Sequence, residues 1–320
     1  MILVTGAGGF VGTAVVSELA RQRIPFRAVT RARRDGYFGI GNIDSRTDWT
    51  AALDRVEVII HLAAHAQVGP ETVADKASSF RVANLDSTMN LARQAVRAGV
   101  KRFVFISSIK VNGEATQPGR PFTADDVPNP QNPYAQCKLD VEQGLFALSR
   151  ESNLDVAVVR PPLVYGPGVK ANFAIMMDWV NRGIPLPLGS VHNKRSFVFV
   201  RNLADLIILT ARHPNAAGQV FLVSDGADLS TTQLLRMMAQ ALGRPSLIMP
   251  VPAQLVTLAA AAIGRRGIAS RLTDSLQVDV TKTRALLGWS PRETISDGLR
   301  QTARSFQRPD LCLDRQVRSA

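Results

Sequence analysis

A tyrosine and a lysine four residues apart, Tyr134 and Lys138, are the pair in this sequence best suited to proton transfer. The spacing places a phenol and an ammonium on one face of a helix. Asn132-Pro133 predicts that this helix begins directly before them, because asparagine is favoured as an N-cap and proline at the first helical position. A neighbouring cation lowers a tyrosine pKa by favouring the phenolate. We therefore expect Tyr134 to exchange a proton near neutral pH. The alternative, common for such a pair, is a solvated helix face.

Two serines precede this helix in the chain, at the end of a predicted strand. Residues 102–107 have the pattern of a buried strand, and Ser107 and Ser108 fall at its carboxyl end. Open α/β sheets bind their ligands at the carboxyl ends of their strands. The position of the serines therefore favours a catalytic site over a solvated helix face.

A glycine-rich turn opens the chain. The apolar run 2–4 predicts a buried strand, and the apolar spacing from Phe10 onward predicts a helix. Between them, Gly6 permits a tight turn, Gly9 lets backbone amides approach a pyrophosphate, and Gly12 lets the helix pack on the strand. The helix N-terminus supplies unpaired N–H donors. This context predicts a dinucleotide-binding turn in preference to a plain glycine turn.

Strand-like and helix-like segments alternate through the first half of the chain. Besides the first strand, strands are predicted at residues 25–30, 56–62, 102–107 and 156–160, with a helix at about 79–98. This alternation predicts an α/β fold with a doubly wound parallel sheet of the Rossmann type. Two later strands, 197–200 and 220–223, could return to the same sheet.

Proline and glycine break the alternation after Pro162, which predicts a smaller C-terminal lobe interleaved with the first domain. We assign residues 1–162, with about 197–224, to a dinucleotide-binding domain. We assign residues 163–196 and 225–308 to a substrate lobe. The tail at 309–320 has no clear pattern and is expected to be loosely attached.

Composition narrows the class of protein. The chain has 320 residues, 46% of them hydrophobic, which is enough for a substantial core. Its two cysteines, Cys137 and Cys312, are too few for a disulfide framework and lack metal-ligand spacing. We therefore expect no metal site and a reducing cytoplasm. The apolar run 255–263 is about half the length of a membrane span and predicts a buried helix instead.

The formal net charge of +12 needs a partner or an explanation. The phosphates of a cofactor and a substrate would neutralise part of this positive charge. The remaining charge could attract anionic lipid surfaces or have no specific partner. Nucleic-acid binding is disfavoured, because the arginines are dispersed, aromatic residues make up only 6%, and no nucleic-acid motif is present.

The glycine turn, the strand-end serine and Tyr-x-x-x-Lys, in this order and spacing, make the chain resemble the extended short-chain dehydrogenase/reductases. Within them it resembles the nucleotide-sugar epimerase, dehydratase and ketoreductase branch, from residue 1 to about 299. The resemblance implies that Tyr134 is the catalytic acid/base. It also implies that Lys138 holds the nicotinamide ribose and tunes Tyr134, and that Ser108 hydrogen-bonds the reacting oxygen.

The same resemblance implies which residues contact the cofactor. Phe10 and Val11 line the pyrophosphate turn, Asn84 belongs to the central helix near the active site, and His61 is structural. The full set is Gly6, Gly9, Phe10, Val11, Gly12, Thr30, Arg31, Asn42, Ile43, Leu62, Ala63, Ala64, Asn84, Tyr134, Lys138 and Pro161.

On the substrate side, the resemblance implies contacts to the diphosphate of a UDP-sugar. Asn172 and Arg195 match family residues at that position, and a guanidinium suits it because its planar fork pairs with two oxygens. Arg271 is a second candidate. Lys110, two residues after Ser108, could contact the sugar or the diphosphate, or point to solvent. The alternative for both arginines is a solvated surface position.

The sequence departs from the sugar-epimerase pattern at the end of the second strand. Thr30 occupies the position where NAD-preferring members carry an aspartate, and Arg31, Arg33 and Arg34 follow it. Asn42 likewise replaces an aspartate that often contacts the adenine. Without the acid, a 2′-phosphate would be attracted instead of repelled, so NADP(H) is favoured and NAD(H) is the alternative.

Two functions at C4 of a UDP-sugar use the same tyrosine. The cofactor interpretation favours an NADPH-dependent reductase of a UDP-4-keto-6-deoxy-N-acetylhexosamine for surface polysaccharide and O-antigen synthesis. The alternative is a UDP-glucose or UDP-N-acetylglucosamine 4-epimerase. A non-catalytic cofactor-sensing relative is third, since such proteins usually lose the tyrosine or lysine that this chain keeps. The oligomeric state, including a homodimer, stays open.

Overall fold

The computed structural model describes residues 1–63, 81–262 and 266–308. Its strands are β1 (Ile2–Thr5), β2 (Phe26–Thr30), β3 (Phe38–Gly39), β4 (Val58–His61), β5 (Arg102–Ile106), β6 (Asp155–Arg160), β7 (Leu163–Tyr165), β8 (Phe197–Phe199) and β9 (Val220–Leu222). Its α-helices are α1 (Phe10–Arg21), α2 (Thr50–Leu53), α3 (Ser87–Arg97), α4 (Pro133–Arg150), α5 (Ala171–Asn181), α6 (Val200–Arg212), α7 (Thr231–Leu242), α8 (Ala253–Ala262), α9 (Arg266–Thr273), α10 (Thr281–Leu287) and α11 (Ile295–Gln307). Ala64 and the tail at 309–320 lie outside the described residues.

Seven strands form one parallel sheet in the order β3-β2-β1-β4-β5-β6-β9. The order reverses direction between β1 and β4, which opens a crevice at the carboxyl edge of those strands. This is the predicted doubly wound Rossmann arrangement. The four predicted strands between residues 25 and 160 are all present, and each end lies within two residues of its expected position.

The two late strands have different partners. β9 joins the main sheet beside β6, as predicted. The prediction that 197–200 returns to that sheet is wrong, because β8 pairs with β7 in a separate two-stranded parallel sheet. Helix α6 follows β8 directly and packs against α1 on the main sheet. The chain therefore crosses between the two parts at Val200.

Each face of the main sheet has its own apolar core. Val4, Val15 and Leu203 belong to the core under α1 and α6, whereas Leu91 and Phe103 belong to the core under α3 and α4. A third core lies in the C-terminal part. Its buried members come from β7, β8, α5, α7 and α11, and include Tyr165, Phe173, Phe199, Leu235 and Leu299.

The apolar helix predicted at 255–263 forms as α8, but the prediction that it is buried is wrong. Leu255 and Leu258 are 54% and 68% exposed. Among the described side chains of α8, Ala253 and Val256 pack against the core of the C-terminal part. Among the described residues, no helix combines the length and apolarity needed to cross a bilayer.

Candidate active site

The turn after β1 is closed by backbone contacts that leave no room for side chains. Gly6 has a φ of +67°, and a Cβ there would lie 2.7 Å from the backbone nitrogen of Ala63. A Cβ on Gly12 would lie 2.1 Å from the carbonyl oxygen of Gly6. Gly9 is the N-cap of α1 and provides no side-chain cap. The first N–H groups of α1 are thus left to bind an anion, as a pyrophosphate site requires.

The end of β2 reaches the same turn. A Cβ on Gly8 would lie 3.3 Å from Thr30 Cγ2 and 3.7 Å from a guanidinium nitrogen of Arg34. The Thr30 hydroxyl donates to the carbonyl oxygen of Ala32 at 2.7 Å, which fixes the bend after the strand. Of the three arginines after Thr30, the geometry therefore singles out Arg34 as the cation beside the glycine turn. Arg31 and Arg34 are both exposed, but of the two only Arg34 lies within 4 Å of a Cβ placed on Gly8.

The remaining predicted cofactor residues line the same crevice or flank it. The Leu62 backbone N–H donates to the carbonyl oxygen of Thr5, and that of Ala63 donates to the Thr5 hydroxyl, both at 3.3 Å. Asn84 is buried in a π-helical turn, Arg81–Asp86, that packs against α4. In the segment after β3, Asn42 is exposed, and Ile43 packs against the apolar core under α3 and α4.

His61 has the environment of a structural histidine. Its Nδ1 lies 2.8 Å from the Thr5 hydroxyl and its Nε2 lies 2.9 Å from the Thr88 hydroxyl. Burial, with a contribution from the Lys138 charge, lowers the pKa of His61 to about 3. The neutral ring therefore joins β1, β4 and α3 beneath the crevice at physiological pH.

Helix α4 begins where the sequence predicts, and its N-terminus fixes Tyr134. Asn132 is the N-cap, its side-chain oxygen accepts from the Ala135 backbone N–H at 2.9 Å, and Pro133 is the first helical residue. One turn later, Lys138 is buried and its Nζ donates to the carbonyl oxygen of Ile106 at 2.9 Å. The same ammonium lies 6.0 Å from the centroid of the Tyr134 ring. The predicted pair thus shares one helix face above the end of β5.

The pKa of Tyr134 differs from the sequence-based expectation. Burial, with a smaller contribution from Cys137, raises the pKa of Tyr134 above its ordinary value. The expectation of a lowered pKa is therefore wrong for the protein alone, because the phenolate loses more hydration than the lysine returns. Burial also lowers the pKa of Lys138 to about 8, opposed by Cys137 and Glu142. Lys138 is still mainly protonated at neutral pH.

The two serines after β5 face different environments. Ser107 is buried, and its hydroxyl has no hydrogen-bond partner among the residues that the structure describes. Ser108 is half-buried and caps a 3₁₀ turn, Ile109–Val111, by accepting from the Lys110 backbone N–H at 3.3 Å. Accepting this bond leaves the Ser108 hydroxyl hydrogen able to donate to another group. Lys110 Nζ lies 3.5 Å from a carboxylate oxygen of Glu114.

A buried ionic cluster beneath the site was not identified from the sequence. The Arg160 guanidinium pairs with the Glu142 carboxylate, with 2.5 Å between Nη2 and Oε2, and donates to Asn112 Oδ1 at 2.9 Å. Asn112 in turn donates to the Thr123 carbonyl oxygen. The cluster joins α4, the end of β6 and the segment after Ser108. Glu142 follows Lys138 by one helical turn, and this spacing was the only signal in the sequence.

Pro161 completes this side of the crevice. It is buried, and its carbonyl oxygen accepts from the Ile109 backbone N–H at 3.0 Å. The bond holds the Ser108 turn against the end of β6. Pro161, which we predict to contact the cofactor, therefore also has a structural role.

Arg195 is neither solvated nor at a free strand edge, contrary to the alternative weighed for it. It is half-buried, and its Nη1 donates to the carbonyl oxygen of Asp274 at 2.8 Å. Burial lowers the pKa of Arg195, opposed by Asp274. Arg271 lies on α9, three residues before Asp274, and is exposed. The fold thus brings both predicted arginines to one segment of the C-terminal part, whereas Asn172 is exposed at the start of α5.

Backbone pairing connects this segment to the Ser108 turn. Arg195 pairs with Leu276, and Phe122 pairs with Val278 two residues further on. Phe122 belongs to the same stretch as Thr123, which accepts from Asn112. The catalytic turn and the arginine segment are therefore parts of one hydrogen-bonded unit.

Taken together, the crevice offers a glycine turn with a helix N-terminus, a guanidinium beside that turn, and a phenol, ammonium and hydroxyl near the end of β5. These groups fit a nicotinamide dinucleotide, which when bound can accept or deliver a hydride. Within the described residues, no three His, Cys, Asp or Glu side chains are grouped so that they could hold a metal. The fold and site define an oxidoreductase of the extended short-chain dehydrogenase/reductase class.

Comparison with known proteins specifies the family. The sequence model of the NAD dependent epimerase/dehydratase family matches residues 2–224 of the chain. The chain therefore belongs to this family, as the resemblance of its motifs predicted, and its dependence on a nicotinamide cofactor is confirmed at that level.

Individual relatives match nearly the whole chain. A UDP-glucose 4-epimerase of Vibrio cholerae is 46% identical over 311 residues, which cover 95% of each chain. A UDP-glucose 4-epimerase of Mycolicibacterium smegmatis is 31% identical over 95% of this chain and 98% of its own. The structure of MoeE5 in complex with UDP-glucose and NAD matches with a TM-score of 0.76, at 26% identity, over 96% of this chain and 99% of that one.

Proposed function

We propose that this protein is a 4-epimerase of a UDP-hexose that uses a nicotinamide dinucleotide. The observation that carries the proposal is the group formed by Ser108, Tyr134 and Lys138 at the carboxyl edge of β5, beside the glycine turn. The relatives favour the epimerase alternative over the reductase that the sequence analysis put first, since the 46% identical protein is a UDP-glucose 4-epimerase.

The proposed chemistry is a reversible proton and hydride transfer at C4 of the sugar. A nicotinamide held beside the glycine turn would supply reversible hydride acceptance at C4, so that a 4-keto sugar could be reduced again on either face. Tyr134 accepts the 4-hydroxyl proton as the carbonyl forms and returns it when the alcohol re-forms. Ser108 donates a hydrogen bond to the same oxygen, so the oxygen is held while its charge changes.

Lys138 supports the proton transfer through its charge and its position. Its ammonium, 6.0 Å from the Tyr134 ring centroid, favours the phenolate form of Tyr134. In the protein without ligands, burial raises the pKa of Tyr134, with a smaller contribution from Cys137. We therefore expect Tyr134 to become an effective base only when the crevice holds further positive charge beside the phenol.

We further propose that the C-terminal part binds the nucleotide. Residues 163–196 and 225–308 would form the substrate lobe, and residues 1–162 with the returning β9 the cofactor domain. Arg195 would pair with the diphosphate, assisted by Arg271 and by Asn172 at the start of α5. Arg195 is held by Asp274 and still has guanidinium N–H groups to offer, which suits a diphosphate contact. Lys110, beside Glu114, would contact the sugar.

A second candidate function is reduction of a UDP-4-keto sugar with NADPH. One observation favours it: Arg34 reaches the glycine turn, and Thr30 replaces the acid that would repel a 2′-phosphate. The same pair makes NADP(H) the cofactor we propose to be favoured, with NAD(H) as the alternative. The choice of cofactor and the choice of reaction are linked, because a reductase must exchange its cofactor every cycle and an epimerase need not.

The experiment that separates the two functions starts from protein freed of cofactor. It is assayed with UDP-glucose or UDP-N-acetylglucosamine plus NAD⁺ or NADP⁺, and separately with a UDP-4-keto-6-deoxyhexosamine plus NADPH. We expect interconversion of the C4 epimers without net consumption of the added cofactor. Stoichiometric oxidation of NADPH by the keto sugar, with no epimer interconversion, would overturn the epimerase proposal and establish the reductase. The Tyr134→Phe variant is the matched control for both assays.

A further inference from the structure

Helix α8 exposes an apolar face to solvent. Leu255, Leu258, Ala259 and Ala262 recur at the spacing of one helix face, and all four are exposed. The ten residues of α8 include no charged side chain. A helix face this apolar is normally buried against another element or against a partner. Among the side chains of α8 that the structure describes, Ala253 and Val256 pack against the core of the C-terminal part, and the helix also contacts α9.

The segment that leads into α8 adds to this surface. Leu247 and Met249 are each 46% exposed, whereas Ile248 between them packs inward. Ile184 is also exposed and lines one shallow cleft with Leu247. We call the surface formed by Ile184, Leu247, Met249, Leu255 and Leu258 the α8 surface. It belongs to the C-terminal part, away from the main sheet.

The sequence segment that carries most of the α8 surface has positive charge and no negative charge. Residues 229–273 contain five arginines and no aspartate or glutamate. Arg236 and Arg244 are exposed. The Arg244 side chain donates a long hydrogen bond, 3.3 Å from its Nε to the Asn181 amide oxygen, and forms no ion pair among the described residues. An apolar face in a segment that has arginines and no acidic residue is complementary to a layer that is apolar inside and anionic at its surface.

A second copy of the chain does not fit this surface. A twofold dimer through α8 would place the same patch against itself. The arginines of the two copies would then face one another with no acidic residue from the segment 229–273 to neutralise them. We propose instead that the α8 surface docks on an anionic lipid bilayer, with the exposed leucines in the interfacial layer and the arginines on lipid phosphates. Lipid docking would hold the enzyme at a membrane while the crevice at the sheet edge stays open to a nucleotide substrate.

The test is sedimentation of the full chain with vesicles. Vesicles of phosphatidylcholine with about one third phosphatidylglycerol are compared with pure phosphatidylcholine vesicles at low salt, and the anionic ones again at several times physiological salt. We expect sedimentation with the anionic vesicles, little with the neutral ones, and weaker binding at high salt. The double variant Leu255→Gln/Leu258→Gln should lower the partition coefficient about tenfold or more, and Arg236→Gln/Arg244→Gln should lower it on anionic vesicles only.

Val127→Gln is the matched control, because Val127 is an equally apolar side chain, 86% exposed, outside the α8 surface. It should bind vesicles as the unaltered protein does. Thermal melting and nicotinamide fluorescence verify that each variant is folded. Binding to neither vesicle, equal binding to both, or unchanged binding of the leucine variant would overturn the proposal. So would a dimer in solution that Leu255→Gln/Leu258→Gln converts to a monomer, because the α8 surface would then bind a second copy.

Discussion

The Lys138 ammonium donates a 2.9 Å hydrogen bond to the carbonyl oxygen of Ile106, the last residue of β5. Ser107 and Ser108 follow that carbonyl directly, and Tyr134 precedes Lys138 by one turn of α4. One bond thus sets the helix that carries the phenol against the strand that delivers the serine. Two elements far apart in the sequence are fixed relative to each other at the point where chemistry is expected.

Removing the Tyr134 hydroxyl should abolish turnover while leaving the fold intact. We expect Tyr134→Phe to lower kcat by about 10² to 10⁴-fold, the usual contribution of a general acid–base group. Cofactor binding, followed by nicotinamide fluorescence, should change little, because the glycine turn and α1 hold the dinucleotide. Near-normal turnover by this variant would remove Tyr134 from the mechanism.

The stability of the protein should depend on His61 in mild acid. The pKa of His61 is lowered from 6.5 to about 3 in the folded state, so only the unfolded chain takes up this proton between those values. Stability from the neutral ring is therefore complete above pH 6.5 and is lost as the pH falls toward 3. We expect a loss of about 3 kcal/mol between pH 6.5 and about pH 4 from this group.

The measurement for His61 is urea unfolding at several pH values. His61→Gln has no titrating ring, so its stability should fall less steeply over the same interval, and the gap between the two proteins should narrow. Parallel stability curves for the two proteins would show that His61 titrates normally in the fold.

Breaking the buried Arg160–Glu142 pair should be costly, whereas replacing it as a unit should not. Both side chains are nearly inaccessible, at 4% and 3%. Glu142→Ala leaves a buried guanidinium uncompensated, and we expect a loss of about 3 to 5 kcal/mol in the free energy of unfolding. The double variant Glu142→Leu/Arg160→Met should recover much of that loss.

The control for the buried pair is Arg182–Asp178, an exposed pair one turn apart on α5. Asp178→Ala should change the free energy of unfolding by less than about 1 kcal/mol. Chemical denaturation measures all four proteins. A loss for Glu142→Ala as small as that for Asp178→Ala would contradict the proposed energetics of the cluster.

The preference for a phosphorylated cofactor should depend on Arg34 and not on its neighbours. We expect Arg34→Ala to weaken NADP⁺ binding about tenfold, or about 1.4 kcal/mol, and to leave NAD⁺ binding nearly unchanged. Arg31→Ala is the matched control, since both side chains are exposed and of the two only Arg34 reaches Gly8. Calorimetric titration with both cofactors decides the matter, and equal effects of the two variants would refute the role given to Arg34.

Binding of the nucleotide should depend on Arg195. If its guanidinium pairs with the diphosphate, Arg195→Ala should weaken UDP binding by about 1.5 to 3 kcal/mol, the usual contribution of a hydrogen bond to a charged group. Lys194→Ala is the control, because Lys194 is the exposed cation next in sequence. Dinucleotide affinity should be unaltered in both. Unchanged UDP affinity by calorimetry in Arg195→Ala would exclude the diphosphate contact.

The sequence by itself determined the features that depend on neighbouring residues. Gly6 and Gly12 specify the turn after β1 because steric exclusion acts over a few atoms. Asn132-Pro133 specifies where α4 begins, and the Tyr134–Lys138 spacing puts both groups on one face. The alternation of strands and helices likewise predicts the parallel sheet, because the spacing of apolar residues in each segment indicates whether that segment is a strand or a helix.

The tertiary structure decided what depends on burial and on contacts between distant residues. It selected Arg34 from three adjacent arginines, paired Arg160 with Glu142, and placed β8 beside β7. It also raised the pKa of Tyr134 and left the apolar α8 exposed. None of these outcomes is a property of a local pattern, because desolvation and strand pairing depend on which surfaces meet when the chain folds.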